Sequence, residues 1–546
     1  MQEVIRGILR GAKRGVMTAK KGRNFYKGNR TGSMGSHTKH GNYVVDLNKV
    51  RTYVVPDLTG CEIAKHDTNE PYLVAAKREV LWMASSSSLT ILTLMLQSSF
   101  FFVNVMAVSH LGAKELAAMS LSVTCMGIIA LAPAFGLLSA MDTFCSTAFT
   151  ASRDKTLVGF HYQRGLIAVF SHILLAAPIL WNAERILLAI KQDPDIAALS
   201  GKYLRIQILG MLPWSVFEAT RRYLQAQGIM RASMTIALVV APIHWFSNYF
   251  LVRSLTYGFG FIGAPISNVL SNCLMCTGIL VYTCNSRAVD TWGGWKLNAF
   301  HNMSQYYRLA IPAVVTVCAE WVGYEILIIG TSYFGANQLA GQAIMMNSVV
   351  ISFHLCNGLG FGTSPRVGNL IGAARPRQAR IAADVSLAAT VCIGIACTLF
   401  LVFFGDWWTS VYTSDPAIAR ETAKLMSVAC VFTIGDGLNA VIGAILRGLG
   451  RQQVSANIYI FGFYVCAIPI AAYLGYGLQM QAVGLWWGLC IGVIISSILQ
   501  TVYVYRWIDW KDEVRLCLLR LKGSSAGSST TDMATGSETE TTSVLH

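Results

Sequence analysis

Charge is what this sequence has least of. Lys, Arg, Asp and Glu make up 13% of its 546 residues, about half the roughly 25% of an ordinary soluble chain. The shortage is local: of 71 charged residues only 38 fall between positions 85 and 505, and the rest sit in the two ends. A water-soluble globule of that length could not cover its surface with so few, so the middle of the chain must face lipid. A GxxxxGK[ST] phosphate loop and an HExxH pair are also missing, which argues against nucleotide-powered pumping and metallopeptidase chemistry. There are fourteen cysteines, but the one CxxC, Cys273 and Cys276, lies inside an apolar run without the accessible thiols that metal or redox chemistry needs. The chain is therefore expected to be no enzyme and to hold no metal or cofactor.

Twelve apolar runs of helix length follow one another, near 85–107, 117–146, 157–181, 198–218, 232–252, 263–285, 309–332, 339–362, 382–404, 419–446, 454–474 and 483–505. Each approaches the ~20 residues that span a bilayer core, so the predicted fold is all-α, a polytopic membrane protein of twelve transmembrane helices. An even number puts both tails on one side. With the tails cytosolic, the inner loops hold fourteen Lys and Arg and the outer loops four, the bias that orients membrane proteins. The expected organisation is a basic polar segment (1–76), six helices (77–285), a cytosolic loop (286–308), six more helices (309–505) and a cytosolic, mostly disordered tail (506–546).

The chain repeats itself. Asp193-Pro194 recurs as Asp415-Pro416, Gly228 as Gly450 and Lys202 as Lys424, all at one constant offset, and LGAKELA (111–117) is echoed by FGANQLA (334–340). Six spans per copy give the two halves the same orientation, related by an axis along the membrane normal. Parallel halves of this kind in transporters enclose a central cavity that opens to either side.

A carboxylate in the hydrocarbon zone costs at least ~2.5–3.5 kcal/mol on insertion scales, so it needs a role or a partner. Five lie inside the predicted spans: Asp142, Glu218, Glu320, Glu325 and Asp436. Glu320 and Asp436 fall near mid-depth, where a coupling ion or cationic cargo would bind. Asp142 and Glu218 lie nearer the cytosolic ends, where pairing with nearby Arg gives them a structural or gating part. A step of five residues turns a helix by a net of about 140°, so Glu320 and Glu325 cannot both face one narrow cavity. Tyr324, at i+4, shares the face of Glu320. The residues one repeat before Glu320 and Asp436 are Ser98 and Trp214, so the halves share a scaffold and differ in function. A buried carboxyl that exchanges a proton for a cation would drive antiport by competition for one site. His244, Asn248 and Tyr249 are expected on one helix face, at i, i+4, i+5, where they suit hydrogen bonds between helices, and Pro213, Pro312 and Pro469 lie inside spans as bend points.

Residues from about 77 to 513 resemble the multidrug and toxic compound extrusion (MATE) family, above all its eukaryotic branch. The stretches that carry the likeness include SAMDTFC (139–145), DPDIAALSGKYLR (193–205), HWFSNYFLV (244–252), PAVVTVCAEWVGYEILI (312–328), PRVGNLIGAARPRQAR (365–380) and GDGLNAVIGAILRGLGRQ (435–452). The resemblance implies two six-helix lobes forming a V and secondary exchange of organic cations or toxic metabolites for protons or sodium. It also implies that the family's site acids fall on Glu320, Glu325 and Asp436. The chain departs from the family's pattern in places. Many bacterial relatives have an Asp where Val103 stands beside Asn104, so no first-lobe ion site is expected. Some animal relatives have an acid at the position of Asn347, which is kept as a site candidate. Thr147 and Thr150 replace the usual Gln and Gly after the DTxC motif.

A second resemblance covers residues of about 10–60. TAKKGRNFYKGNRTGSMGSHTKHGNYVVDLNKVRTYVVPDLTG (18–60) is similar to a fungal mitochondrial large-subunit ribosomal protein of the L41 class. Basic residues interleaved with Tyr and Gly suit contacts to RNA phosphates. A ribosomal piece and an exporter share no mechanism, so the junction reads as two neighbouring coding units fused. The resulting expectation is a monomeric exporter of small cationic compounds in the plasma or vacuolar membrane, powered by a proton or sodium gradient, with the lipid bilayer as its surroundings and no nucleic acid bound to the transporter part. The rivals are a lipid-linked precursor flippase of the same superfold and, for the N-terminal segment alone, a mitochondrial ribosomal RNA-binding component.

Overall fold

Asp-Pro pairs punctuate this fold. Asp193 Oδ1 accepts from the backbone N–H of Asp195 (2.9 Å) and Ile196 (3.2 Å), and Asp415 Oδ1 accepts from that of Ala417 (2.8 Å). The proline after each cap begins a helix with φ already set and no N–H left over. Gly228 and Gly450 follow the ends of those two helices, with φ of +78° and +75°, a left-handed turn open mainly to glycine. The repeated residues are thus the caps of equivalent helices.

The computed structural model describes residues 35–37, 43–45, 70–253 and 258–526. Its main unit runs from His66 onward and, among the described residues, is built from helices. The first six long ones are α1 (Tyr72–Ser109), α2 (Ala113–Ala151), α3 (Thr156–Trp181), α4 (Pro194–Ala226), α5 (Arg231–Arg253) and α6 (Gly263–Cys284), with a short helical turn at Ala183–Ala189 between α3 and α4. Six more follow: α7 (Met303–Ser332), α8 (Ala336–Gly372), α9 (Pro376–Tyr412), α10 (Pro416–Leu449), α11 (Gln452–Gly477) and α12 (Gln481–Arg506). Every apolar run lands on one of these. Eleven are long and apolar enough to cross a membrane. The twelfth, α4, has 33 residues but carries Lys202, Arg205, Glu218, Arg221 and Arg222. Pro213 and Pro312 lie inside α4 and α7, while α2 and α11 contain π-helical turns at Gly127–Leu131, Phe461–Ala467 and Tyr473–Gly477.

Up-down order places Tyr72, the ends of α2, α4, α8 and α10, and Arg506 at one end of the bundle, called here the tail end. The two six-helix sets meet where α2 crosses α8 and along two symmetry-related seams, α1 against α8 and α2 against α7. The duplication sets both. A Cβ on Gly136 would stand 2.3 Å from Cα of Val314, and one on Gly358 would stand 2.9 Å from Cα of Ile91. Gly136 and Gly358 are themselves one repeat apart, so the same missing side chain lets the backbones touch at each seam.

The loop between the sets is ordered. Gln163 of α3 donates to Gly294 O (2.6 Å) and accepts from Lys296 N–H (3.0 Å), while Tyr223 donates to Ala288 O (2.8 Å). The expectation of a mostly disordered tail after residue 506 is corrected over its first part. Residues Trp510–Ala526 form a helix, α13, because Trp510, Val514, Cys517 and Leu521 recur at helical spacing and pack into the main core. The tail from 527 lies outside the described residues.

The N-terminal unit, residues 1–65, is separate. Within it an antiparallel pair joins β1 (Gly35–His37) and β2 (Tyr43–Val45), with Ser36 opposite Val44. The rest of the basic and ribosomal-protein-like stretch lies outside the described residues.

Candidate functional site

Mid-depth in the second set, α7 and α10 bring two carboxylates together. Glu320 and Tyr324 lie one turn apart on α7, and Tyr324 donates its hydroxyl to Asp436 Oδ1 on α10 at 3.4 Å. Asp436 is almost fully buried, at 3% exposure, whereas Glu320 is half-buried. The charge of Asp436 acts on Glu320, and that of Glu320 acts on Tyr459 of α11. Phe432 and Trp486 stand with ring centres 6.4 Å from Tyr324 and 5.8 Å from each other. Two neighbouring carboxyl groups with aromatic rings beside them form a site that favours a cation or a proton.

The other candidates lie elsewhere. Glu325 turns off the cluster and accepts from Thr124 of α2 across the seam (3.3 Å). Asn347 is half-buried on α8 and makes no hydrogen bond within the cluster among the described residues. His244 stacks on Phe100 at 4.4 Å and bonds Ser271 at 2.8 Å, tying α5 to α1 and α6, while Asn248 donates to Asn104 of α1. Tyr249 does not share that face: it is 60% exposed, as a five-residue step from His244 along a helix requires.

Asp142 and Glu218 lie in the tail-end closure. Arg222 donates to both oxygens of Asp142 (3.0 and 2.8 Å), and Arg221 pairs with Glu218 at 2.6 Å. Arg447 of α10 reaches within 3.9 Å of Asp142 from the other lobe. A second bridge joins the lobes where Arg366 of α8 clasps Glu79 of α1 at 2.9 and 2.5 Å. Hydrogen bonds repeat the symmetry: Asn369 of α8 donates to Ala226 O at the end of α4 (3.0 Å), and Thr143 of α2 donates to Arg447 O near the end of α10 (2.5 Å). Both inter-lobe ion pairs among the described residues are therefore at the tail end. Gly368 and Gly372 allow the close crossing there, facing Ser146 and Thr150.

Reasoning from sequence misses two features. Arg447, one residue past the predicted span 419–446, counts there among the fourteen inner-loop cations, yet its side chain lies along α10 beside Gly443 and its charge acts on Glu320. The signal is available: eleven residues, three full turns, place it on the face of Asp436. The first lobe also holds a cavity of about 200 Å³ lined by Gln97, Asn104, Gln207, Asn272 and Trp214 among others. No charged residue lines it, and nothing in the spacing of those amides announces it.

Residues 90–250 and 312–473 each match the family model described as MatE, and the starts of the two matches are separated by the offset of the repeat. The chain belongs to the MatE family. An uncharacterized transporter of Schizosaccharomyces pombe is 31% identical over 80% of this chain and 81% of its own length. Multidrug and toxin extrusion protein 1 of Homo sapiens is 28% identical over 75% of this chain and 71% of its own. Among solved structures, the eukaryotic MATE transporter AtDTX14 matches with a TM-score of 0.77 at 23% identity, covering 82% of this chain and 100% of that one. The chain is thus a multi-pass membrane transporter of the MATE fold. Separately, residues 9–67 match the family model of mitochondrial ribosomal protein L27, in line with the ribosomal-protein likeness of the N-terminal segment.

Proposed function

We propose that this transporter is an antiporter exporting small organic cations or toxic metabolites in exchange for protons, with sodium as the second choice of coupling ion. The observation that carries the reading is the meeting of Glu320 and Asp436 beside Tyr324, Phe432 and Trp486. A proton and a cationic cargo compete for those carboxylates, so binding of one releases the other. Glu325 and Asn347 belong to the path around that centre, and Asp142 and Glu218 to the gate. Residues 77–285 and 309–505 act as the two moving lobes, and the protein works as a monomer. The excess of Lys and Arg at the tail end makes that end cytosolic, and the host is the plasma or vacuolar membrane. Closure at the tail end then corresponds to a state facing outward. A flippase of lipid-linked precursors would need several cavity arginines for pyrophosphate, whereas the mid-depth charges here are mostly acidic.

The test uses purified full-length protein in vesicles. A pH gradient is expected to drive uptake of a fluorescent organic cation, and an equal sodium gradient is not. Glu320→Gln and Asp436→Asn should each remove the pH-driven flux while eluting as folded protein. Undiminished flux in both variants would refute the site, and equal rates with sodium would refute proton preference.

A further inference from the structure

The helix that follows the last span lies across the tail-end closure. Glu513 of α13 is 2% exposed, and Arg451, at the α10–α11 junction, holds its Oε1 from Nε (2.8 Å) and Nη2 (2.6 Å). Arg520, two turns further along, faces the other carboxylate oxygen at 3.5 Å and donates to Leu449 O at the end of α10 (2.9 Å). Gln305 of α7 donates to Arg520 O at 3.2 Å. Gly450 is part of this seat: a Cβ there would stand 2.0 Å from Arg520 Nη1. All of these partners belong to the second lobe.

Toward the first lobe the attachment is of another kind. The buried Cys517 thiol lies beside Thr147 of α2, whose own hydroxyl donates to Thr143 O (2.7 Å), and the helix packs there through its apolar face. Thr147 lies one turn from Thr143, which donates to Arg447 O (2.5 Å) and accepts from Gln452 (2.9 Å) in the closure itself. Charge-assisted bonds hold α13 to one lobe, whereas apolar packing and a thiol contact, with no ion pair among the described residues, join it to the other. When the lobes part at this end, the weak side is the one that gives way.

We propose that α13 is a strap over the tail-end gate, carried by the second lobe, whose Cys517–Thr147 contact parts each time that end opens. This rests on the alternating-access reading above. Burial also pushes the Cys517 thiol above its ordinary pKa, so it reacts slowly while covered. In full-length protein in vesicles, maleimide labelling of Cys517, read by mass spectrometry, should therefore be slow. Glu513→Gln should raise its rate about fivefold, the scale of a kcal/mol lost from the seat. Thr147→Cys should cross-link to Cys517 under mild oxidation, and the cross-linked protein should stop exchanging cations until dithiothreitol is added. Unchanged labelling in Glu513→Gln, failure to cross-link, or full exchange by cross-linked protein would each overturn the strap. Absence of uptake by the uncross-linked protein would instead overturn the exporter reading, with the labelling result still telling whether the strap lifts.

Discussion

The two lobes have one scaffold and two interiors. Asp193 and Asp415 cap equivalent helices, Gly228 and Gly450 follow their ends, and Gly136 and Gly358 open equivalent seams. Inside, the second lobe places Glu320 and Asp436 at mid-depth, and the first has Ser98 and Trp214 at those positions. Ser98 bonds His354 across the α1–α8 seam at 2.9 Å, and Trp214 lines a cavity of neutral amides. Duplication thus preserved what backbones need to pack, while chemistry diverged at positions where packing did not constrain it.

The largest expected effect comes from trying to exchange the lobes. Glu320→Gln should cut pH-driven uptake by about 100-fold or more, the scale of losing a positioned acid. Adding Ser98→Glu to that variant should not restore it, since Ser98 has no second acid across from it; recovered flux would show the interiors to be interchangeable. Next come the buried ion pairs of the tail end. Asp142→Asn leaves Arg222 buried with its ion pair broken, a change that costs ~3–5 kcal/mol, and the melting temperature in detergent should fall clearly; an unchanged melt would mean that water already shields this pair. A third variant sharpens the contrast from the neutral side. Asn272→Leu in the first-lobe cavity should alter which compounds compete for uptake by several-fold and leave the protons moved per cargo unchanged. The smallest effect tests the shared scaffold: Asp193→Ala and Asp415→Ala should each cost ~1 kcal/mol, and a marked inequality in thermal unfolding would show that the copies no longer bear equal loads.

Much of this is legible along the chain. Runs of apolar residues mark the helices because lipid admits few alternatives to a helix, every backbone group there having to bond within its own segment. The Asp-Pro caps are visible as pairs at a fixed offset, and the depth of Glu320 and Asp436 follows from counting turns. The helix α13 is not, since its amphipathic spacing is outweighed by the polar composition around it. Arg447 is hidden by its position at a helix end: a long side chain lies back along its own helix, so a residue assigned to a loop can act at depth. The pairing of Tyr324 with Asp436, of Arg366 with Glu79 and of Thr124 with Glu325 joins residues more than 100 positions apart.

By itself, then, the order of residues determined that this chain inserts as a duplicated bundle of helices with its mid-depth acids in one half. Those properties depend on local composition and on spacing along single helices. Only the tertiary structure decided which acids face each other, which are neutralised by arginine, and which end of the bundle is shut. Those outcomes depend on how helices from distant parts of the chain rotate and cross, and a close crossing is set by both surfaces at once.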